Sequence, residues 1–333
     1  MTRPLLGWAL LAALALAVPR AQASDDITIG VVSSQGGASI FVADALGYFK
    51  AEGLTAKLIQ FTSAAPIAAA AASGDIDFGS TGLTVALCNL ANSGSLRIIG
   101  SGTWERPGFS TIGFLVSNQA YAAGLHGFAD LGGHAVGITQ VGTPLQYHLA
   151  RVLQKYGVPL GTIRVVALQS NPNVASALKG GEIDAAVQTA SNALSLVEKG
   201  DAKLLGWVAE ELGPGSSAVT FTTRRMTQAH PDIVRRFLAA FGKGGAAWDA
   251  AFLDASGARK DQPEAAKMID IVAKALQQSP AVIASAIQYF DPQSRIILAD
   301  IQGVLDWYEA QGMLKAHMDA AALIDERFAT FAR

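Results

Sequence analysis

The chain has 333 residues, of which 50% are hydrophobic and only 16% are charged. Its 25 Lys and Arg against 27 Asp and Glu give a net charge of −2, which excludes a nucleic-acid or anionic-membrane binder that acts through bulk charge. The single cysteine, Cys88, excludes an intramolecular disulfide, so the fold must be held together by its core.

The first 23 residues predict a secretory signal peptide. Arg3 precedes an uninterrupted apolar run at 5–18, and a small-x-small cleavage pattern ends at Ala23. The run is too short and wrongly flanked for a stable membrane span. Cleavage removes Arg3 and Arg20 but no acid, which leaves 23 basic against 27 acidic residues and a net charge of −4. We therefore expect an exported chain that begins near Ser24.

The remaining sequence repeats at a shift of 107 residues. Gly74 and Asp77, in the motif SGDID, recur as Gly181 and Asp184 in GGEID. Each unit predicts strand, helix, strand, helix, then the Gly-acid-Ile-Asp motif, a helix and a strand. The matched segments are 29–34, 40–49, 57–61, 86–90 and 98–100 in the first unit and 136–141, 145–156, 164–168, 193–197 and 204–206 in the second. This alternation favours parallel strands with crossover helices, hence two similar α/β lobes.

After the second unit the pattern becomes almost entirely helical from His230 onward, with Ser279 and Pro280 as a strong helix start. We expect this tail to pack back on the first lobe, so that the chain crosses between lobes twice and forms a hinge. The predicted divisions are a signal peptide at 1–23, lobe one at 24–115 and 220–333, and lobe two at 116–219.

Small polar residues follow the strands that should point at the space between the lobes. In open α/β folds, ligands bind beyond the carboxyl ends of strands, where helix N-termini favour anions. Hydroxyls, amides and backbone N–H groups there can hold a small oxyanion without a salt bridge. Capping of the helices is the alternative role for the same residues. The candidate contacts are Ser33, Ser34, Gln35, Gly36, Gly37, Ser80, Thr81, Gln140, Gly142, Thr143, Gln188, Ser191 and Asn192.

Two tryptophans, Trp104 and Trp207, follow equivalent strands of the two units. Either they stack against a planar or apolar part of the ligand, or they pack under a loop. Trp104 is included among the candidate ligand contacts.

Catalysis and metal binding have little support in the sequence. The five histidines show no metal-ligand spacing, and neither a nucleophile elbow nor a phosphate-binding loop is present. Asp77 and Asp184 fit a local structural role inside the repeated motif better than an acid/base pair. The sequence therefore predicts no catalytic residue, no metal and no cofactor.

The order and spacing of five motifs resemble the periplasmic solute-binding proteins of ABC importers, specifically the nitrate/sulfonate/taurine and thiamine-precursor (NMT1/SsuA-like) family. The motifs are at 44–54, 71–79, 128–138, 174–187 and 230–241. The resemblance implies a type II periplasmic binding fold, with two α/β lobes, a two-strand hinge and a helical C-terminal tail on lobe one. It also implies a monomer that closes like a clamshell on one small ligand in the periplasm and delivers it to a membrane permease driven by an ATPase.

The family's usual ligand segments coincide with the four found above, but here they contain no Lys or Arg. Arg106, near Trp104, is the nearest cation that the sequence offers. The expected ligand is a small organic anion, either a sulfonate or an aliphatic or aromatic carboxylate. The alternatives are a neutral pyrimidine thiamine precursor, an enzyme on the same fold, and a sensor without a transporter.

Overall fold

The computed structural model describes residues 24–109, 111–216 and 218–332; the predicted signal peptide lies outside them. The strands are β1 Asp25–Val32, β2 Leu54–Phe61, β3 Phe78–Gly82, β4 Leu96–Ser101, β5 Thr103–Trp104, β6 Ile112–Ser117, β7 Ala135–Ile138, β8 Arg164–Ala167, β9 Ala185–Thr189, β10 Ala202–Trp207, β11 Ala218–Thr223 and β12 Tyr289–Phe290. The helices are α1 Ala38–Ala45, α2 Tyr48–Ala51, α3 Ala65–Ser73, α4 Val85–Asn92, α5 Asn118–Ala122, α6 Pro144–Lys155, α7 Asn171–Gly180, α8 Ala190–Glu198, α9 Val208–Leu212, α10 Arg224–Ala229, α11 Pro231–Phe252, α12 Ala265–Leu276, α13 Pro280–Ser285, α14 Leu298–Ala310 and α15 Ala320–Leu323.

Two five-stranded sheets have the same strand order. The first is β2-β1-β3-β11-β4, and the second, in matching direction, is β8-β7-β9-β6-β10. In each sheet the first three strands are parallel, as the alternation predicted. The fourth strand is antiparallel to both of its neighbours, because it enters from the other sheet rather than through a crossover helix. The two mixed α/β units predicted from the repeat are therefore present.

The repeated Gly-acid-Ile-Asp motif performs the same structural task twice. Gly74 ends α3 with a φ of 88°, and Gly181 ends α7 with a φ of 72°, a left-handed conformation that favours glycine. Asp77 Oδ2 accepts a hydrogen bond of 3.0 Å from the backbone N–H of Thr28, and Asp184 Oδ2 accepts one of 2.8 Å from Ala135. Donors and acceptors are each 107 residues apart, so the sequence repeat is a structural repeat. The two aspartates anchor strands.

The C-terminal helices pack on the first sheet, as expected. Phe237 of α11 stacks on Phe78 of β3 with ring centroids 3.9 Å apart, inside a cluster that also contains the fully buried Trp248. On the other face, the hydroxyl of Tyr308 in α14 donates a 2.8 Å hydrogen bond to the carbonyl of Leu83. Apolar side chains of the tail therefore complete the core of the first α/β unit. No helix among the described residues is long and apolar enough to cross a membrane.

We call residues 24–104 and 218–332, around the first sheet, lobe one, and residues 112–212, around the second, lobe two. The boundaries predicted after 115 and 219 fall inside β6 and β11, so each crossing lies a few residues earlier. An apolar strand at a crossing could join either sheet, and only its hydrogen-bonded neighbours show to which lobe it belongs. The two connections meet at Glu105 and Gly215, which exchange backbone hydrogen bonds of 2.7 and 3.1 Å.

Candidate ligand-binding site

A cavity of about 760 Å³, including its solvent-open mouth, lies between the two lobes. Its wall combines hydroxyl, amide and apolar groups. Nine hydroxyls line it: Ser34, Ser63, Ser80, Thr81, Thr103, Thr111, Thr139, Thr143 and Thr189. Two amides, Asn171 and Gln288, join them. The rest of the wall consists of Val32, Gly36, Ala64, Gly82, Ile112, Pro144, Leu145 and Ala218. No charged side chain occurs among these described lining residues.

The wall follows the sequence repeat. Four pairs of lining residues are each 107 positions apart, namely Val32 and Thr139, Gly36 and Thr143, Ala64 and Asn171, and Gly82 and Thr189. At every pair, lobe one supplies a small or apolar residue and lobe two supplies a side chain with hydrogen-bonding atoms. The two lobes therefore face the cavity with the same backbone segments but different chemistry.

Five of the predicted ligand contacts lie on this wall: Ser34, Gly36, Ser80, Thr81 and Thr143. The other nine do not line the cavity: Ser33, Gln35, Gly37, Trp104, Gln140, Gly142, Gln188, Ser191 and Asn192. They come from the expected strand ends, but the hydrogen bonds that they make are to the protein itself. Oε1 of Gln35 and Oε1 of Gln188 are buried without a partner among the described residues.

Five of these nine bond across to the opposite lobe, Gln35 among them through its backbone N–H. Ser191 Oγ accepts from the backbone N–H of Gln35 at 3.2 Å, and the Gly142 carbonyl accepts from Val85 at 2.9 Å. The two side-chain amides make longer contacts. Gln140 Oε1 accepts from the backbone N–H of Ala65, and Asn192 Oδ1 accepts from Gln278 Nε2, both at 3.4 Å. These segments therefore hold the two lobes together at the edge of the cavity.

The other contacts made by the predicted set lie within one lobe and support its fold. Ser33 Oγ donates to Gln60, and Gly37 packs tightly between Val31 and Phe41. The amide of Gln35 donates to the carbonyl of Ile283, and that of Gln188 donates to the carbonyl of Asn171.

Trp104 lies in the short β5–β12 sheet rather than on the cavity wall. Its indole N–H donates to Ser101, and its ring meets that of Tyr289 edge-on at 6.3 Å. Trp207 packs over Gly113 and also does not line the cavity. Both tryptophans are thus packing residues, the alternative role that the sequence left open.

Two helices that begin at the cavity wall have a threonine at the N-cap position whose hydroxyl does not cap the helix. Thr84 and Ser170 cap α4 and α7 in the ordinary way, since their hydroxyls accept from the backbone N–H three residues ahead. Thr143 and Thr189, the N-cap residues of α6 and α8 on the cavity wall, make no such bond within the described chain. Their helix N-termini are left facing the cavity, which favours an anionic or other hydrogen-bond-accepting group there.

Two polar atoms on the wall are buried and have no hydrogen-bond partner among the described residues. They are Thr81 Oγ1 and Gln288 Oε1, on side chains that are 6% and 1% exposed. A buried polar group left unpaired costs free energy, about 1–3 kcal/mol. A bound molecule can recover that cost by pairing with these atoms.

Two buried acids lie immediately behind the wall. Glu105 accepts hydrogen bonds from the backbone N–H and the hydroxyl of Thr111, and burial raises its pKa to about 7. Asp249 accepts from the backbone N–H of Phe290, next to Gln288, and burial raises its pKa to about 8. Burial therefore favours the neutral form of both carboxyl groups in the folded protein.

A second cavity of about 460 Å³ adjoins the hinge, and its wall has the opposite character. Glu105, His148, Arg151 and Asp300 all contribute to it. Burial and the nearby Arg151 lower the pKa of His148 to about 3, so this imidazole is neutral. His148 is buried, because α6 turns this residue toward the hinge.

Reasoning from sequence missed several wall residues. Ser63 and Ala64 align at a shift of 107 with Ser170 and Asn171, and each pair opens a helix with a proline in its first turn. The repeat therefore contained the signal for this part of the wall. Gln288, in the helical tail, gave no comparable signal.

Far from the cavity, Asp306, Glu309 and His317 bring ligand-type atoms within 4.8 Å of one another on an exposed surface. The sequence did not predict this grouping, because the histidine comes from a loop after α14. Exposed acidic groups of this kind are common without a metal, and we assign it no role.

Solved structures with a similar fold include solute-binding proteins and an enzyme. The alkanesulfonate-binding protein SsuA from Xanthomonas axonopodis pv. citri, bound to MOPS, has a TM-score of 0.73 and 22% identity, covering 92% of this chain and 99% of that one. The periplasmic nitrate-binding protein NrtA from Synechocystis PCC 6803 has a TM-score of 0.71 and 14% identity, covering 91% and 86%. The enzyme DszB, as a mutant in complex with biphenyl-2-sulfinic acid, has a TM-score of 0.62 and 14% identity, covering 91% and 97%.

The fold thus defines the class: a two-lobed protein with the architecture of periplasmic binding proteins. A scan of family profiles matches NMT1/THI5 like over residues 36–252, and the chain belongs to this family. The family predicted from the sequence motifs is confirmed. A search of curated proteins gives no significant match. Family and fold together support a solute-binding role.

Proposed function

We propose that this protein is the substrate-binding component of an ABC importer and captures a small organic acid, either a sulfonate or an aliphatic or aromatic carboxylate, by closing two lobes on it. The observation that carries the proposal is the cavity between the lobes, lined by nine hydroxyls from both of them. The uncapped starts of α6 and α8 face the same space. Together these groups supply hydrogen-bond donors and positive dipole ends to an acid group without a cation.

Because the described wall residues carry no charge, the number of negative charges that a ligand can carry in this site is limited. Each hydrogen bond to a charged ligand contributes about 1.5–3 kcal/mol, and a micromolar complex requires about 8 kcal/mol. A few hydroxyls and helix N-termini therefore suffice for a monoanion. A doubly charged ligand would lose more hydration than such a wall replaces. The same wall also suits a neutral heterocycle such as a pyrimidine, which is the second candidate ligand.

Closure is the proposed mechanism of capture. Hydrogen bonds already link the lobes at the cavity edge, as between Gln35 and Ser191 or between Val85 and Gly142. A ligand that contacts both lobes favours this closed arrangement over an open one, and that difference in affinity drives the change. The closed form is then the one that we expect a membrane permease to recognise in the periplasm, with the protein acting as a monomer and performing no chemistry on its ligand.

A thermal-shift screen of the chain from residue 24 tests this function. The protein is first stripped of carried-over ligand by partial unfolding, then screened with alkyl and aryl sulfonates, carboxylates, nitrate and pyrimidines. A ligand at 100 times its Kd stabilises the folded state by about 2.7 kcal/mol. That corresponds to a rise in Tm of several degrees. Stabilisation by organic acids alone supports the proposal, and stabilisation by pyrimidines alone selects the second candidate. Product formation from a stabilising compound would instead identify an enzyme.

A further inference from the structure

We propose that Gln288 is a specificity-determining ligand contact and that the ligand carries, besides its acid group, an uncharged N–H or O–H donor that bonds to the Gln288 side-chain carbonyl. The inference rests on the proposed solute-binding function and deepens it. Gln288 belongs to the segment between α13 and β12, outside the four strand-end segments that the family resemblance singles out.

The first argument is the state of the side chain. Gln288 lines the ligand cavity, is 1% exposed, and its Oε1 has no partner among the described residues. A carbonyl oxygen is only an acceptor, so its partner must be a donor. Deprotonated sulfonate and carboxylate groups accept hydrogen bonds and cannot pair with it. The ligand therefore needs a second polar group of the opposite kind.

The second argument is that Gln288 is held in place from behind. The indole N–H of Trp248 donates to the Gln288 backbone carbonyl at 2.8 Å. One residue further along α11, Asp249 accepts from the backbone N–H of Phe290 at 3.2 Å. Phe290 in turn pairs with Thr103, another residue of the cavity wall. These contacts fix the backbone of Gln288 and of the residues that follow it, so the point from which the side chain enters the cavity is defined before a ligand binds.

The third argument is that the space beside the amide is kept open by a glycine. A Cβ on Gly36 would lie 3.7 Å from Gln288 Oε1 and 3.4 Å from Ser34 Oγ. Both atoms thus border the open side of Gly36, into which a methyl group would project without clashing with the protein. We place the donor group of the ligand on this side, packed against the glycine backbone, with Ser34 as its second neighbour.

Matched pairs of compounds test the proposal. We would measure Kd for hydroxypropanesulfonate against propanesulfonate and for para-hydroxybenzoate against para-methoxybenzoate. In the wild-type protein the donor-bearing member of at least one pair should bind about tenfold more tightly, the difference expected for one well-made hydrogen bond. In Gln288→Met, which keeps the side-chain length, that advantage should disappear. Gln311→Met, at an exposed helix end away from the cavity, is the control and should keep the advantage.

Gly36→Ala provides an independent variant if Gln288→Met does not fold. The added methyl group makes only ordinary contacts, so folding is preserved while the donor volume is filled. We expect about tenfold weaker binding of the donor-bearing compound, with Gly161→Ala, which has open space around it, as the control. Equal affinity within both pairs, or an unchanged advantage in Gln288→Met, overturns the role of Gln288 while leaving a solute-binding protein. Binding of neither pair overturns the proposed function as well.

Discussion

The ligand cavity and the hinge cavity share a boundary but have opposite chemistry. The described wall of the first holds no charged side chain, whereas Glu105, His148 and Arg151 contribute to the second. Hydrogen bonds join the two walls: Thr111 of the ligand wall donates to Glu105 of the hinge wall, and Ser216 of the hinge wall donates to the carbonyl of Thr103 on the ligand wall. We infer that, in the function proposed above, neutral hydrogen bonds would select the ligand, while the titratable groups of the hinge cavity lie where the lobes would rotate.

The largest effect that we predict concerns the hinge cavity. Glu105 has a folded-state pKa of about 7 against an ordinary value of 4.5. Below pH 4.5 the group is protonated in both states. As pH rises to 7 it ionises only in the unfolded chain, so stability falls by about 3 kcal/mol and stays low above pH 7. The free energy of unfolding of Glu105→Gln, relative to that of the wild type, should therefore rise by about 3 kcal/mol between pH 4.5 and 8.

Chemical denaturation of both proteins across this pH range gives the measurement. His148 contributes a slope of opposite sign, because a pKa lowered from 6.5 to about 3 makes stability fall as pH drops. It is present in both proteins and cancels in their difference. If the stability difference between the two proteins does not change with pH, the pKa of Glu105 is not raised in the folded protein. The proposed contrast between the two cavities would then be lost.

The next effect concerns the ligand cavity. Thr81→Val replaces a buried hydroxyl whose Oγ1 has no partner among the described residues. Without ligand we expect stability to stay within about 1 kcal/mol of the wild type, since no internal hydrogen bond is lost. Affinity for an organic acid should fall ten- to a hundredfold, corresponding to about 1.5–3 kcal/mol.

Calorimetric titration with the best compound of the screen measures that loss. Thr55→Val, the same substitution on the exposed side of β2, is the matched control and should leave affinity unchanged. A Thr81→Val protein that binds as tightly as the wild type would place the ligand elsewhere in the cavity.

The contrast between capping and uncapped threonines predicts a smaller pair of effects. Thr84→Ala removes the hydroxyl that accepts from Leu87 and should destabilise the fold by about 1 kcal/mol with no change in affinity. Thr143→Ala should do the reverse. Among the described residues its hydroxyl donates to the carbonyl of Gln140 alone, so stability should change by about 0.5 kcal/mol while affinity falls several-fold. Parallel denaturation and titration of the two variants separate the roles, and similar losses in both would contradict them.

These positions also show how much could be predicted from the sequence. The repeat of Gly74 and Asp77 at Gly181 and Asp184 was sufficient to predict two α/β lobes, because a left-handed helix end and a strand anchor each require those residue types. Thr143 could be placed at the cavity because Pro144 marks a helix start beyond a strand.

Other features depend on pairing between distant segments and leave no periodic signal. Gln288 reaches the cavity through β5 and β12, strands of two residues each, which are too short for an alternation of polar and apolar positions. Ser191 lies at a strand end as expected. Whether its hydroxyl faces a ligand or the other lobe depends on how the lobes meet, and here it accepts from Gln35.

The smallest effect tests whether the two cavities are coupled. Glu105 becomes charged above its pKa of about 7, and its carboxylate accepts a hydrogen bond from Thr111 of the ligand wall. A negative charge there opposes an anionic ligand, while a sulfonate keeps its own charge throughout this range. Between pH 6 and 8 the wild type should therefore lose about threefold more affinity for a sulfonate than Glu105→Gln does, or about 0.6 kcal/mol, because Asp249, whose pKa is about 8, titrates in both proteins. A neutral pyrimidine should show no such dependence in either protein. Equal pH profiles for a sulfonate in the two proteins would mean that Thr111 insulates the ligand from the hinge, so that the titrating wall acts on lobe movement alone.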